Sequence, residues 1–166
     1  MHDDTEVLIL GTFPSETSRK ALQYYANEEK NNFWNTIAKK YNIDCFKGYK
    51  HKLDTLKQNK IGLWDIIKSC DIADSKNKTI KNEIFNDLIG FLNKHKNIRK
   101  IIINGTSNNK GTVYFVNKYL KEKNKLLTVK RVNLPMQTGQ YYRTHKKEVD
   151  KMWLEELPNK NTQNNL

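Results

Sequence analysis

Cysteine is scarce, with only Cys45 and Cys70 among 166 residues. The two form no CxxC pair and no four-ligand set, which argues against a zinc site or an iron–sulfur cluster and favours a reducing compartment. No apolar stretch approaches the length of a membrane span. The opening MHDDTE is polar and acidic before a short apolar run, unlike a secretory signal. Neither a GxGxxG nor a Walker loop occurs, which disfavours a nucleotide enzyme built on those phosphate cradles. The histidines His2, His51, His95 and His145 stand in no pattern that suggests a catalytic pair or a metal site. His145 is close enough to the last strand-end loop to reach a phosphate, or is a solvated residue at a helix start. Acidic residues are few, 18 against 30 lysines and arginines, for a net charge of +12. So basic a small protein is biased toward polyanions, because each neutralised phosphate releases a condensed counterion. A Lys-, Asn- and Ile-rich composition also arises in genomes poor in G and C, so charge alone leaves nucleic-acid binding open.

The length fits one domain, placed at residues 1–158, with a disordered tail at 159–166. Neither a repeat nor an interdomain linker is visible. Val7-Leu8-Ile9-Leu10-Gly11 is a continuous apolar run that reads as a buried parallel strand. Residues 61–64, 98–103 and 126–134 read as three more strands, ending at Asp65, at Asn104-Gly105 and at Pro135. Helical spacing predicts helices over residues 18–25, 32–41, 82–96, 111–121 and 146–157, with a polar connector at 47–59 that turns helical in its second half and a polar loop at 75–79. Strands alternating with helices predict an α/β fold, a parallel sheet covered on both faces. The polar and special residues then collect at four strand ends along one edge, where open α/β sheets bind ligands. Ordinary loops are also polar and rich in glycine, so the pattern by itself does not prove a site.

The ordered motifs sharpen this. The segment LILGTFPSETS at residues 8–18, Tyr24-Tyr25-Ala26 followed by Lys30-Asn31-Asn32-Phe33-Trp34, and IGLWDIIKSC at 61–70 occur in sequence. Asn86-Asp87, Ile102-Ile103-Asn104-Gly105 and Leu134-Pro135 with Thr138-Gly139 follow. Together they resemble the DNA-deoxyinosine (hypoxanthine) glycosylases, a branch of the uracil-DNA glycosylase superfamily, over residues 7–153. Each motif alone is weak; the ordered set is specific. The resemblance implies a three-layer α/β/α sandwich on a four-stranded parallel sheet. It also implies excision of a deaminated base, hypoxanthine or uracil, from DNA by a monofunctional glycosylase. Such an enzyme flips its target nucleotide into a pocket with an aromatic face, hydrogen-bonding groups for the base edge and a polar residue that holds water.

Within that frame Phe33 is the expected stacking ring, or else core packing beside Trp34. Asp65 is expected to read the base edge, where other branches carry an Asn, or to cap a helix. Phe13 occupies a loop position where other branches keep a water-handling Asp or Asn, and it cannot do that work. The resemblance moves the role to Asn31, which would position a water rather than deprotonate it, or would cap the helix that follows. Gly11, Thr12, Phe13 and Asn104 complete the expected base-binding set. Pro14, Ser15 and Ser18 on the first loop are expected DNA contacts. So are Pro135, Met136, Gln137, Thr138, Gly139, Gln140 and Arg143 on the last, with Met136 as a wedge between bases. Tyr141, Tyr142 and Lys146 would add rings and charge for backbone contact.

Three departures from the family pattern stand out. Met136 and Gln137 replace small serines, Asn77 replaces an Asp, and one extra residue separates Ala26 from Asn31. No lysine stands out as a Schiff-base nucleophile, so no lyase step is expected. The expected partner is DNA carrying a deaminated base. Metal, cofactor and membrane are expected to play no part, in an intracellular, cytoplasmic monomer. The competing reading is a DNA- or base-binding module on the same fold with weak or lost catalysis, and the altered 135–139 loop is its best support.

Overall fold

The computed structural model describes residues 2–73, 76–107 and 109–160. Four strands form one parallel sheet: β1 (Val7–Gly11), β2 (Ile61–Asp65), β5 (Lys100–Asn104) and β6 (Lys130–Leu134), in the order β2-β1-β5-β6. Gly11 lies opposite Asp65 and Asn104 opposite Leu134, so the strands end level with one another. The period-two alternation of side chains divides the apolar runs between two cores. Val7, Ile9 and Ile102 face one way, toward Phe33, Trp34, Leu56, Val149 and Trp153. Leu8, Leu10, Ile101 and Ile103 face the other, toward Leu88, Leu92, Phe115, Val116 and Tyr119. These strands are buried on both faces, which is why they read as unbroken hydrophobic runs rather than as alternating ones.

The first core is roofed by α2 (Phe33–Tyr41), α3 (Gly48–Gln58), α6 (Gly139–Thr144) and α7 (Lys146–Glu156). The second is roofed by α4 (Leu88–Lys94) and α5 (Thr112–Lys123). The result is the expected three-layer α/β/α sandwich. A short α1 (Glu16–Ala21) follows β1, with Ser15 capping it by accepting from the Ser18 amide at 3.2 Å. Three helices stop at residues in the left-handed region, Leu22, Asn42 and Asn124. Asparagine suits that place because its side chain bonds locally.

Several expectations need correction. The helix placed at 82–96 is two elements. Lys81–Phe85 is a strand, β4, paired antiparallel with β3 (Ile67–Asp71), and the helix begins only at Leu88. Asp87 enforces the break by accepting from the Gly90 amide at 3.1 Å as the α4 cap. Ile84, which fitted the helical stripe, is 59% exposed. The connector at 47–59 is helical over almost all its length. The last sheet strand starts at Lys130 rather than at 126, and α6 was not anticipated. The helix expected over 18–25 stops at Ala21, which leaves Tyr24 and Tyr25 in a turn. Part of the polar loop, at residue 75, and residues 161–166 of the expected tail lie outside the described residues.

Candidate functional site

Beyond the ends of β1, β2 and β5 lies a cavity of about 310 Å³, at the small end of the range for ligand pockets. Its floor is the end of the sheet. Gly11 ends β1 without a side chain, and a Cβ there would meet Asp65 Oδ1 at 2.4 Å. The glycine is therefore what lets the neighbouring carboxylate fold over the strand end. Asp65 lines the cavity, and among the described residues its carboxylate accepts no hydrogen bond; burial pushes its pKa up to about 7. Its backbone carbonyl accepts from the Asn86 side chain at 2.8 Å.

Beside the floor runs a chain of oriented hydrogen bonds. The Thr112 hydroxyl donates to the Asn104 carbonyl, which commits its proton. The 2.7 Å contact between the Thr12 and Thr112 hydroxyls must then run from Thr12 to Thr112, and Thr12 in turn accepts from Asn77 Nδ2 at 2.9 Å. An Asp at position 77 would lack that donor while ionised. The chain ties the loop after β1 to β5, to the start of α5 and to the 3₁₀ turn Asn77–Thr79.

The aromatic wall comes from Tyr25. It adopts φ +54°, in the left-handed region, and its ring stacks on Phe33 with centroids 4.1 Å apart. Asn104 Nδ2 donates to its hydroxyl at 3.0 Å, while Asn104 Oδ1 is buried with no partner among the described residues. Burial, with the nearby Asp65, raises the Tyr25 phenol well above its ordinary value, so it stays protonated. The far wall holds Phe13, with the Arg19 guanidinium 5.2 Å from its ring centroid.

The rim is built from two paired segments, residues 30–32 and an extended strap over residues 135–138. Thr138 forms an antiparallel bridge with Asn31, donates from its hydroxyl to the Lys30 carbonyl at 2.6 Å, and follows Gln137, whose carbonyl accepts from the Asn32 amide at 2.9 Å. Asn31, Lys30, Met136 and Thr138 line the cavity. Asn31 Oδ1 accepts from the Phe33 amide at 3.0 Å, so it also ties down the start of α2. An amide oxygen has a second lone pair, and the Asn31 NH₂ has no protein partner among the described residues.

The sequence pattern of the uracil DNA glycosylase superfamily matches residues 1–157. This chain belongs to that superfamily. It is 37% identical over 106 residues to a hypoxanthine DNA glycosylase of Methanosarcina acetivorans, covering 63% of this chain and 66% of the relative. It is 33% identical over 104 residues to a hypoxanthine DNA glycosylase of Methanosarcina barkeri, covering 62% and 65%. These matches span just under two thirds of the relatives' lengths. A solution NMR structure of a candidate uracil DNA glycosylase from Methanosarcina acetivorans shares the fold, with a TM-score of 0.73 and 31% identity over 95% of this chain and 91% of that one.

Most of the residues expected at a superfamily site meet at this cavity: Gly11, Thr12, Phe13, Pro14, Ser15, Ser18, Asn31, Asp65, Asn104, Met136 and Thr138. Phe33 does not. It is fully buried, wedged between Tyr25 and Trp153, and supports the pocket ring from behind instead of forming it. Pro135 and Gln137 are also turned inward. The Pro135 carbonyl accepts from Trp153 Nε1 at 2.8 Å, and the Gln137 side chain is buried against Thr36. The extended strap alternates direction, so Pro135 and Gln137 face the core while Met136 and Thr138 face the cavity. Gly139, Gln140 and Arg143 are exposed on α6, away from the lining, with Arg143 held by Gln140 Oε1 at 2.9 Å. Tyr142 is buried and so not available to DNA. The Asp65 side chain caps no helix. Thr17, Tyr24, Tyr25, Asn27, Lys30, Asn77 and Thr112 also line the cavity and were not among the expected site residues. Tyr24, Tyr25 and Lys30 stood in the ordered motifs and Asn77 among the departures, but the helix predicted through Tyr25 hid the turn.

Proposed function

We propose that this chain, as one domain over residues 1–158, is a monofunctional DNA glycosylase. On this reading it flips a deaminated base, hypoxanthine or uracil, out of DNA and hydrolyses its N-glycosidic bond. The observation that carries the reading is the unpartnered Asp65 carboxyl, held over Gly11 at the floor of a base-sized cavity beside the Tyr25 ring. Both candidate bases present a carbonyl next to an N–H. A neutral carboxyl both donates and accepts, so it complements that edge, and a pKa near 7 keeps it largely neutral below that pH. The names of the similar proteins point the same way.

In the cleavage step the electron pair of the glycosidic bond leaves with the base. The Asp65 O–H, directed at the base carbonyl, stabilises the charge that develops there. The sugar is left oxocarbenium-like, and a water held by Asn31 adds to C1′. Its surplus proton ends on the departing base or in solvent. Asn31 is too weakly basic to remove a proton, so its role is to orient the water. Tyr25 supplies the stacking face. Met136 and Thr138 on the strap, with Pro14, Ser15, Ser18, Lys30 and Arg143 around it, meet the DNA flanking the flipped nucleotide. No cofactor or metal enters the scheme, and the protein acts as an intracellular monomer.

The test is an incision assay on oligonucleotides carrying hypoxanthine, uracil or xanthine, single-stranded and opposite each partner base. Release of free base, leaving an alkali-labile abasic site, is expected for hypoxanthine or uracil. Tight binding to these oligonucleotides with no base release would replace this reading with a binding module. The bond from Asn31 Oδ1 to the Phe33 amide favours that alternative, as does the altered 135–139 loop.

A further inference from the structure

We propose that Asp150, on α7 and outside the cavity, is a positioning residue that fixes Asn31 through the strap; the catalytic part of this rests on the glycosylase reading above. The strap is gripped from both sides. On the cavity side its backbone pairs with residues 30–32, as described. On the core side α7 holds it at two points one turn apart. Trp153 Nε1 donates to the Pro135 carbonyl at 2.8 Å. Asp150 Oδ1 lies 3.5 Å from Gln137 Nε2, 3.5 Å from Asn32 Nδ2 and 3.0 Å from the Tyr142 hydroxyl.

The Tyr142 bond is the short one, and the charge on Asp150 strengthens it. The two amide contacts are long, and act mainly through attraction between the carboxylate and the N–H dipoles. One carboxylate oxygen thus gathers three segments: the residue after Asn31, the strap residue whose carbonyl holds that residue's amide, and the helix that follows the strap. Thr36 closes the cluster by accepting from both Gln137 and Asn32. The buried Gln137 side chain reaches from the strap to Thr36 on α2 and toward Asp150 on α7. That reach sets how far the strap stands from α2. Asn31 is joined to both ends of that spacing, by its bridge to Thr138 and its bond to the Phe33 amide.

The test uses the whole protein and two readouts. The first is amide hydrogen exchange without DNA. Asp150→Ala is expected to speed exchange at Asn32, whose amide binds the Gln137 carbonyl, while Leu8–Leu10 and Ile101–Ile103 keep their protection. The second is single-turnover base release, expected to fall about 10- to 100-fold, the scale of an ångström-sized misplacement, with DNA affinity nearly unchanged. Asp150→Asn keeps an acceptor for Tyr142 but loses the charge behind the two long amide contacts, and should restore only part of the rate. If Asp150→Ala proves too unstable to study, Tyr142→Phe removes only the short bond and should show the same pattern more weakly. Unchanged exchange at Asn32 overturns the proposal, and so does loss of sheet protection together with strap protection, since that marks general destabilisation. A parental protein that releases no base would refute the glycosylase reading, and the exchange result would still decide whether Asp150 sets the strap.

Discussion

Replacing Asp65 with asparagine should stabilise the protein at alkaline pH and leave it little changed in acid. Burial moves the native carboxyl from an ordinary 3.8 up to about 7. Between those values the native state binds the proton more tightly than the unfolded chain, so stability falls as pH rises. Below 3.8 both states are protonated and nothing is lost. Above 7 both are ionised, and the native state carries the full cost of a poorly solvated charge. A rise of that size corresponds to about 4 kcal/mol, an upper bound because the carboxyl opens on a cavity that admits solvent. Asparagine has nearly the same shape and no charge to bury. The stability difference between Asp65→Asn and the parent should therefore grow by roughly 2–3 kcal/mol between pH 5 and pH 8. Urea unfolding of both proteins across that range measures it. Every other titratable group occurs in both proteins, so its contribution cancels in the difference. A difference that stays flat from pH 5 to pH 8 would show that Asp65 is ionised at ordinary pH, and the account of the cavity floor would fall with it. The same pair tests the chemistry. If the neutral carboxyl reads the base, parental base release should fall about tenfold for each pH unit above 7, while the Asn variant should lack that descent.

Other perturbations probe the remaining walls. Asn31→Ala should lower single-turnover base release by about 10²- to 10³-fold with DNA affinity nearly kept, and should cost about 1 kcal/mol of stability for the lost hydrogen bond to the Phe33 amide; a parental rate would reduce Asn31 to a structural tie at the start of α2. Tyr25→Phe keeps the ring but strands the buried Asn104 amide, and urea unfolding should report a loss of about 1–3 kcal/mol. Tyr25→Leu should in addition weaken capture of the flipped base by about 1–3 kcal/mol, the scale of base–aromatic stacking, read as a raised half-saturation in single-turnover titrations. For duplex DNA, Lys30→Ala and Arg143→Ala should each reduce the log–log salt slope of binding by about 0.9 if each contacts one phosphate, and an unchanged slope would remove that residue from the interface.

The sheet and the floor of the cavity were readable in the sequence because both depend on local pattern. An unbroken apolar run marks a strand buried on both faces, and the polar residue that ends it must sit at the edge where parallel strands finish together. Gly11, Asp65 and Asn104 were found that way, and Asn31 came only from the family resemblance. The β3–β4 hairpin was hidden for the opposite reason. It lies outside the sheet with Ser69 and Ile84 exposed, and its register shifts twice in five residues. No strict alternation survives, and the stripe through Ile84, Phe85, Leu88 and Leu92 fits a helix equally well.

The errors at the site share a cause. Each turned on which way a residue faces, and that was settled by partners far away in the chain. Phe33 and Tyr25 are both aromatic and adjacent in space. The left-handed turn at Tyr25 brings its ring to the cavity, and Phe33, at the buried start of α2, must take the position behind it. Composition also suggests that a glutamine in a DNA-facing loop points outward. Gln137 points inward because Thr36, 101 residues earlier, offers it a buried hydrogen bond and Asp150, 13 residues later, faces its amide with a carboxylate. An inward Gln137 in an extended segment forces Met136 and Thr138 to face outward. The side chains that would meet DNA are thus selected by a polar cluster behind them. A substitution in that cluster should therefore misplace Asn31 by way of the strap without touching any residue that meets DNA, and is read in base release rather than in affinity.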